Sequence, residues 1–280
     1  MSKKVLIVGL GLIGGSYAEG LTKKGYEVGA ISDNPDDISY ALEKGIITSG
    51  TTEVNKDYIS SFDTVIFALY PHILLSWIKE HQNTLRSGAL LTDVTGVKSA
   101  VVYDIQKMLR SDLEFIGAHP MAGREVSGVR NADSNIFKNA NYIITPTEKN
   151  SESAIAKCRK IGEDLEFKNI SILSPEKHDE MIGFLSQLTH CIAITLMTCR
   201  NSEVLSKYSG DSFRDLTRIA RINEEMWCEL FLLNKQELLS QMDSFIKEFE
   251  KLKNYISDNN EEGIKEMMKL STMKRKAFDK

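Results

Sequence analysis

The stretch Val5-Leu6-Ile7-Val8-Gly9-Leu10-Gly11-Leu12-Ile13-Gly14 decides the fold. Its first four residues are continuously apolar, the pattern of a strand buried on both faces of a parallel sheet. The glycines that follow have G-x-G-x-x-G spacing, directly after the strand and at the opening of a helix. Gly9 permits the tight turn, Gly11 lets backbone approach a pyrophosphate, and Gly14 allows close helix-strand packing. The helix N-terminus offers free N–H groups to negative charge. Gly9, Leu10, Gly11, Leu12, Ile13 and Gly14 therefore read as a dinucleotide cradle.

Working outward, apolar or β-branched runs at 5–8, 27–31, 64–69, 89–94, 114–117 and 142–145 alternate with helical stretches. This alternation predicts an α/β Rossmann-type N-terminal domain with a parallel-rich sheet. A helix over 151–165 and a strand over 170–173 complete it. At Ser174-Pro175-Glu176 the pattern changes, since Ser suits an N-cap and Pro the first helical position, and everything afterwards reads as helix. The expected units are a dinucleotide-binding domain, 1–173, and an all-α substrate and dimerisation domain, 174–280. Leu238, Met242, Phe245, Phe249, Leu252 and Ile256 form one apolar helical stripe. Packing inside the helical domain and a dimer core shared by two subunits both satisfy it.

Recognition of NAD uses an acidic residue about 20 residues beyond the glycines, at the end of the second strand. In Ile31-Ser32-Asp33-Asn34 the candidate is Asp33, with Ser32 competing for the strand-end position, and no Arg follows to hold a ribose phosphate. The reading leans to NAD and leaves NADP open.

Composition narrows the partners. The chain has 280 residues, 42% hydrophobic and 26% charged, with a formal charge of -4, so nucleic acid and anionic membrane are not expected partners. No secretory leader is read at the N-terminus and no apolar stretch of membrane-spanning length is expected, giving a cytoplasmic assignment. Cys158, Cys191, Cys199 and Cys228 contain no C-x-x-C pair and read as reduced, mostly buried thiols. Adjacent helical residues point about 100° apart, so His190 and Cys191 form no dyad. His178-Asp179-Glu180 lacks the i, i+4 His pair of a helical zinc site, and no metal is expected. His72 and His81, sharing a helix with Trp77 and Leu85, read as surface or interface residues, Lys98 as a solvated cation, and Lys274-Arg275-Lys276 as a helix end.

After the strand 114–117 comes Ala118-His119-Pro120-Met121-Ala122-Gly123. A residue just past the carboxyl end of a parallel strand faces the ligand crevice. An imidazole there is suited to take a proton from a carbinol as hydride leaves the same carbon.

Three motifs in register, Gly117-Ala118-His119-Pro120-Met121-Ala122-Gly123, Ser186-Gln187-Leu188-Thr189-His190 and Gly210-Asp211-Ser212-Phe213-Arg214-Asp215-Leu216-Thr217-Arg218-Ile219-Ala220, together with the glycine-rich start, resemble the prephenate dehydrogenase family. The resemblance implies oxidative decarboxylation of prephenate with NAD, His119 as base, His190 in contact with substrate, and Arg218 on a carboxylate, with Arg214 a second candidate. It further implies Glu125 in a polar network near the site, Asp215 and Trp227 bordering the pocket, and a homodimer. Gly96, in Asp93-Val94-Thr95-Gly96-Val97-Lys98, stands where some members carry a substrate-binding Ser, with Thr95 a possible substitute. No chorismate mutase segment or regulatory module is expected. The rivals are arogenate as substrate, a hydroxyacid or imine dehydrogenase on the same plan, and a non-catalytic dinucleotide sensor.

Overall fold

The computed structural model describes residues 4–124, 126–200 and 204–279. The chain opens with β1 (Lys4–Val8), α1 (Leu12–Lys23), β2 (Glu27–Ile31), α2 (Pro35–Glu43), β3 (Ser49–Thr51) and α3 (Lys56–Ile59). It continues with β4 (Thr64–Phe67), α4 (Pro71–His81), β5 (Leu90–Asp93), α5 (Ser99–Met108), β6 (Glu114–Pro120), β7 (Asn141–Thr145), α6 (Glu152–Asp164) and β8 (Asn169–Ile172). The strands make one eight-stranded sheet in the order β3-β2-β1-β4-β5-β6-β7-β8. Order reverses between β1 and β4, and at such a switch point a crevice opens beyond the carboxyl ends of the strands.

Burial explains the central strands. Val5 through Val8 and Thr64 through Phe67 are buried throughout, because helices cover both faces. One apolar cluster, on the side of α1 and α6, gathers Ile7, Tyr17, Ile116, Tyr142 and Ile161. The other, beneath α4 and α5, gathers Leu6, Phe67, Trp77, Val101 and Phe115.

Several sequence expectations are corrected. The pairing of β6 with β7 is antiparallel, Ala118 facing Ile144 and His119 facing Ile143, so His119 lies within an extended β6 and not beyond its end. The three polar and small residues of β3 carry too little apolar signal to read as a strand. Leu85 lies past the end of α4. Lys98 is not solvated but fully buried. Cys158 alone of the four thiols is fully buried, and Cys199 and Cys228 are exposed.

Beyond β8 the described chain is helical: α7 (Pro175–Ile182), a π segment (Gly183–Leu188), α8 (Thr189–Thr198), α9 (Asp211–Thr217), α10 (Glu224–Leu233), α11 (Lys235–Ser257) and α12 (Glu261–Arg275). Ser174 caps α7 by accepting from Lys177 N–H, with Pro175 in the first turn. The run Pro175–Thr198 is long and apolar enough to cross a membrane, contrary to the sequence expectation. Its first turns nevertheless bury His178 and Asp179 against α5 and β6, and Gln187 against Asn234. The stripe 238–256 lies along α11, where Leu238 is buried and Phe249 and Ile256 remain exposed.

Candidate active site

The glycine loop has the geometry its spacing predicts. Gly9 adopts φ +99°, and a Cβ there would meet Ala68 O at 2.5 Å. A Cβ on Gly14 would sit 1.9 Å from Gly9 O. Gly11 is different: a Cβ there meets nothing within 4 Å, so the fold itself does not demand glycine. A ligand backbone lying against the loop would demand it, and α1 begins there with no side-chain cap on its N–H groups. The loop thus fits a dinucleotide pyrophosphate. At the end of β2, Ser32 is buried and its Oγ accepts from Asn34 N–H at 3.4 Å, while Asp33 is exposed.

A hydrogen-bonded chain runs from β6 to α7. His119 Nδ1 lies 2.8 Å from His178 Nε2, and His178 Nδ1 lies 2.8 Å from Asp179 Oδ1. The carboxylate can only accept, so His178 donates through Nδ1 and accepts at Nε2 from the Nδ1–H of His119. The proton-accepting atom of His119 is then Nε2, on the opposite side of the ring. Asp179 is held by the N–H groups of Lys98 and Ser99, both at 2.8 Å, which open α5. Burial alone raises this carboxyl, but the bonds from His178 and Ser99 outweigh it and hold it below the usual range.

Burial, then the neighbouring His178 and Lys98, push the His119 imidazole well below its ordinary value, so the ring is neutral. Beneath it lies a second buried network. Lys98 Nζ contacts Asp93 Oδ2 at 2.5 Å and Thr95 Oγ1 at 3.1 Å, and Asp93 Oδ1 accepts from the N–H of Ala118. Burial pushes the Lys98 ammonium down while Asp93 opposes that shift. Leaving either charge alone in this site costs about 3–5 kcal/mol, which is why the two occur together.

The expected site residues fall into groups. Gly96 lies beside His119, a Cβ there coming within 3.9 Å of His119 Cε1 and 3.5 Å of Leu230. The Thr95 hydroxyl, expected as a substitute contact, is committed to Asp93, Val97 O and Lys98. Its buried position follows from satisfying Asp93, and it is not presented to a ligand. His190 bonds Ser186 O at 2.8 Å through Nδ1 and stacks on Trp227 at 3.7 Å between ring centroids. Trp227 lies one turn before Leu230 on α10, and Leu230 lies against Gly96 beside His119. Arg218 opens the short turn Arg218–Ala220, which packs on α8, and Arg218, Arg214 and Asp215 are exposed. Arg214 pairs with Asp211 and with Ser209 O. Glu125 lies outside the described residues.

The sequence reading considered His178 and Asp179 only as a metal site, which it rejected, and took Lys98 for a solvated cation, so none of the three was placed in the site. A signal existed for the first two: Pro175, His178, Asp179 and Ile182 are the buried face of α7, and a polar pair on such a face needs partners. The π segment completes the arrangement. From His178 to His190 a regular α-helix would turn about 120° out of register, whereas absorbing one extra residue leaves about 20°. Both histidines can therefore face one pocket.

Comparisons with known proteins agree across both halves. The family model for the prephenate dehydrogenase nucleotide-binding domain matches residues 17–171, and that for the prephenate dehydrogenase dimerization domain matches residues 174–270. Prephenate dehydrogenase of Bacillus subtilis is 31% identical over 94% of this chain and 73% of its own length. That of Lactococcus lactis is 30% identical over 99% of this chain and 78% of its own. The crystal structure of prephenate dehydrogenase from A. aeolicus, in complex with hydroxyphenyl propionate and NAD+, superposes with TM-score 0.91 at 34% identity, covering 99% of this chain and 98% of that one. Matches that run through both domains, in sequence and in structure, place this chain in the prephenate dehydrogenase family.

Proposed function

We propose that this protein oxidises and decarboxylates prephenate to 4-hydroxyphenylpyruvate, passing hydride to NAD. The observation that carries the reading is the Asp179–His178–His119 chain, which fixes the tautomer of a neutral imidazole near the carboxyl end of β6. NAD supplies the hydride acceptor when bound at Gly9 to Gly14. His119 Nε2 takes the carbinol proton. Loss of hydride and of the hydroxyl proton from the ring carbinol gives a vinylogous β-keto acid, which releases its carboxylate as CO2 while the bonding electrons enter the ring and the carbonyl oxygen takes up a proton to give the phenol. The protein therefore needs to position and polarise the substrate and to hold one proton.

Prephenate is a dianion, and Arg218, with Arg214 beside it on the preceding helix, is the proposed carboxylate holder. His190, held against Trp227, is the proposed contact to the ring, with Gly96 beside His119 and Asp215 bordering the pocket. NAD is proposed over NADP because Asp33 follows the strand end and a carboxylate repels a ribose phosphate. The proposed assembly is a homodimer through residues 174–280, supported by the exposed Phe184, Phe249 and Ile256, and the proposed location is the cytoplasm, supported by four free thiols.

The test is to mix purified protein with prephenate or arogenate, each with NAD or NADP, and to follow reduced nicotinamide together with aromatic product. Turnover with prephenate and NAD is the expected result. Turnover with arogenate alone would keep the mechanism and change the substrate, and none with either would sink the proposal.

A further inference from the structure

The cofactor loop packs on the turn between β4 and α4. A Cβ on Gly9 would strike Ala68 O, and one on Gly14 would come within 2.9 Å of Ala68 Cβ, so the turn running from Ala68 to Tyr70 is a wall of the dinucleotide crevice. The helix that follows opens with Pro71, has no side-chain cap and has no acid in its first turn. Its cap comes from the other domain. Glu229 on α10 accepts the His72 backbone N–H at 2.7 Å with one carboxylate oxygen and meets His72 Nδ1 at 2.8 Å with the other. Asn223, which itself caps α10, donates to the Tyr70 hydroxyl at 3.3 Å.

The same helix faces the substrate side. Trp227 stacks on His190, and Leu230 lies against Gly96 next to His119. One ten-residue helix thus touches both halves of the site, with a carboxylate only 18% exposed fastening it to the crevice wall. A helix N-terminus stabilises a negative charge placed on it, and a bond to a charged acceptor is about twice as strong as a neutral one.

We infer that Glu229 is a positioning residue for the dinucleotide, holding the β4–α4 turn against the glycine loop and linking cofactor affinity to occupancy of the aromatic pocket on α10. The inference rests on the reading of Gly9 to Gly14 as the cofactor cradle. Substrate that settles against Trp227 and His190 fixes α10, and α10 fixes the turn through Glu229. Occupying one site then tightens the other.

The experiment uses the full-length protein and titrates NAD+ calorimetrically, with and without 3-(4-hydroxyphenyl)propionate. Glu229→Ala is expected to raise the Kd and KM for NAD+ about tenfold while kcat falls far less, and to shrink the effect of the aromatic acid on NAD+ affinity. Glu229→Gln, which keeps an acceptor for the His72 N–H, should recover part of the loss. An unchanged NAD+ affinity in Glu229→Ala overturns the inference. Should that variant fail to fold, His72→Ala removes one of the two bonds at an exposed residue. It is expected to weaken NAD+ by a smaller factor, and unchanged binding there overturns the inference as well. NAD+ binding is read without turnover, so failure of the parent protein on prephenate is a separate result.

Discussion

At the scale of single residues the proposed chemistry turns on one neutral imidazole. Protonated His119 cannot accept the carbinol proton, and burial, His178 and Lys98 all disfavour the protonated form. The group therefore titrates below the ordinary imidazole value of 6.5, and kcat/KM should climb from the acid side with its inflection below that value and be level through neutrality. His119→Asn should lower kcat about 10² to 10⁴-fold and remove the acid limb, and a pH profile of both proteins checks it. Gly96 offers a second prediction. A Cβ there meets Leu230 and His119 only at ordinary contact distances, so Gly96→Ser should fold with stability changed by about 0.5 kcal/mol or less. The new hydroxyl lies beside the His119 ring, and KM for prephenate should fall; an unaltered KM would show that this position is silent in this chain. His119 was legible in advance because its motif names it. His178 was not, because its meaning depends on what α7 packs against.

At the scale of elements, the cradle separates residues that serve the fold from those that serve the ligand. Gly14→Ala forces a Cβ to within 1.9 Å of Gly9 O and should destabilise the protein by about 1–3 kcal/mol, seen as a lower unfolding midpoint. Gly11→Ala meets no protein atom, so its unfolding curve should match that of the parent while NAD+ affinity falls. Equal loss of stability in the two variants would mean that Gly11 is structural. The loop, α1 and the central strands were readable from local pattern, since each has a strong period and its own turn chemistry. The three-residue edge strand β3 was not, because its Ser-Gly-Thr carries no apolar period, and neither was the antiparallel sense of β6–β7, because local pattern does not encode strand direction. The π segment was equally hidden, because nothing in Gly183–Leu188 distinguishes its composition from that of an ordinary helix.

At the scale of the molecule, the helical domain carries apolar surface that the described chain leaves uncovered. Phe249 is 61% exposed and Ile256 59% on α11, and Phe184 is 54% exposed at the start of the π segment. A stable interface buries roughly 800 Å² per partner. Phe249→Glu, which puts a charge in that face, should shift the protein from dimer to monomer in sedimentation equilibrium. A monomeric parent would overturn the proposed dimer, and a variant that stays dimeric would place the interface elsewhere. The amino-acid sequence by itself determined the α/β plan, the dinucleotide loop, the change to helix at Ser174 and the candidacy of His119, because the first three rest on short-range periodicity, glycine stereochemistry or capping and the fourth on a contiguous motif at a strand end. Only the tertiary structure decided the partnership of His119 with His178 and Asp179, the burial of Lys98 on Asp93, and the reach of α10 across both halves of the site. These contacts join residues up to 157 positions apart, and a buried polar group or charge acquires its role from partners that chain order does not reveal.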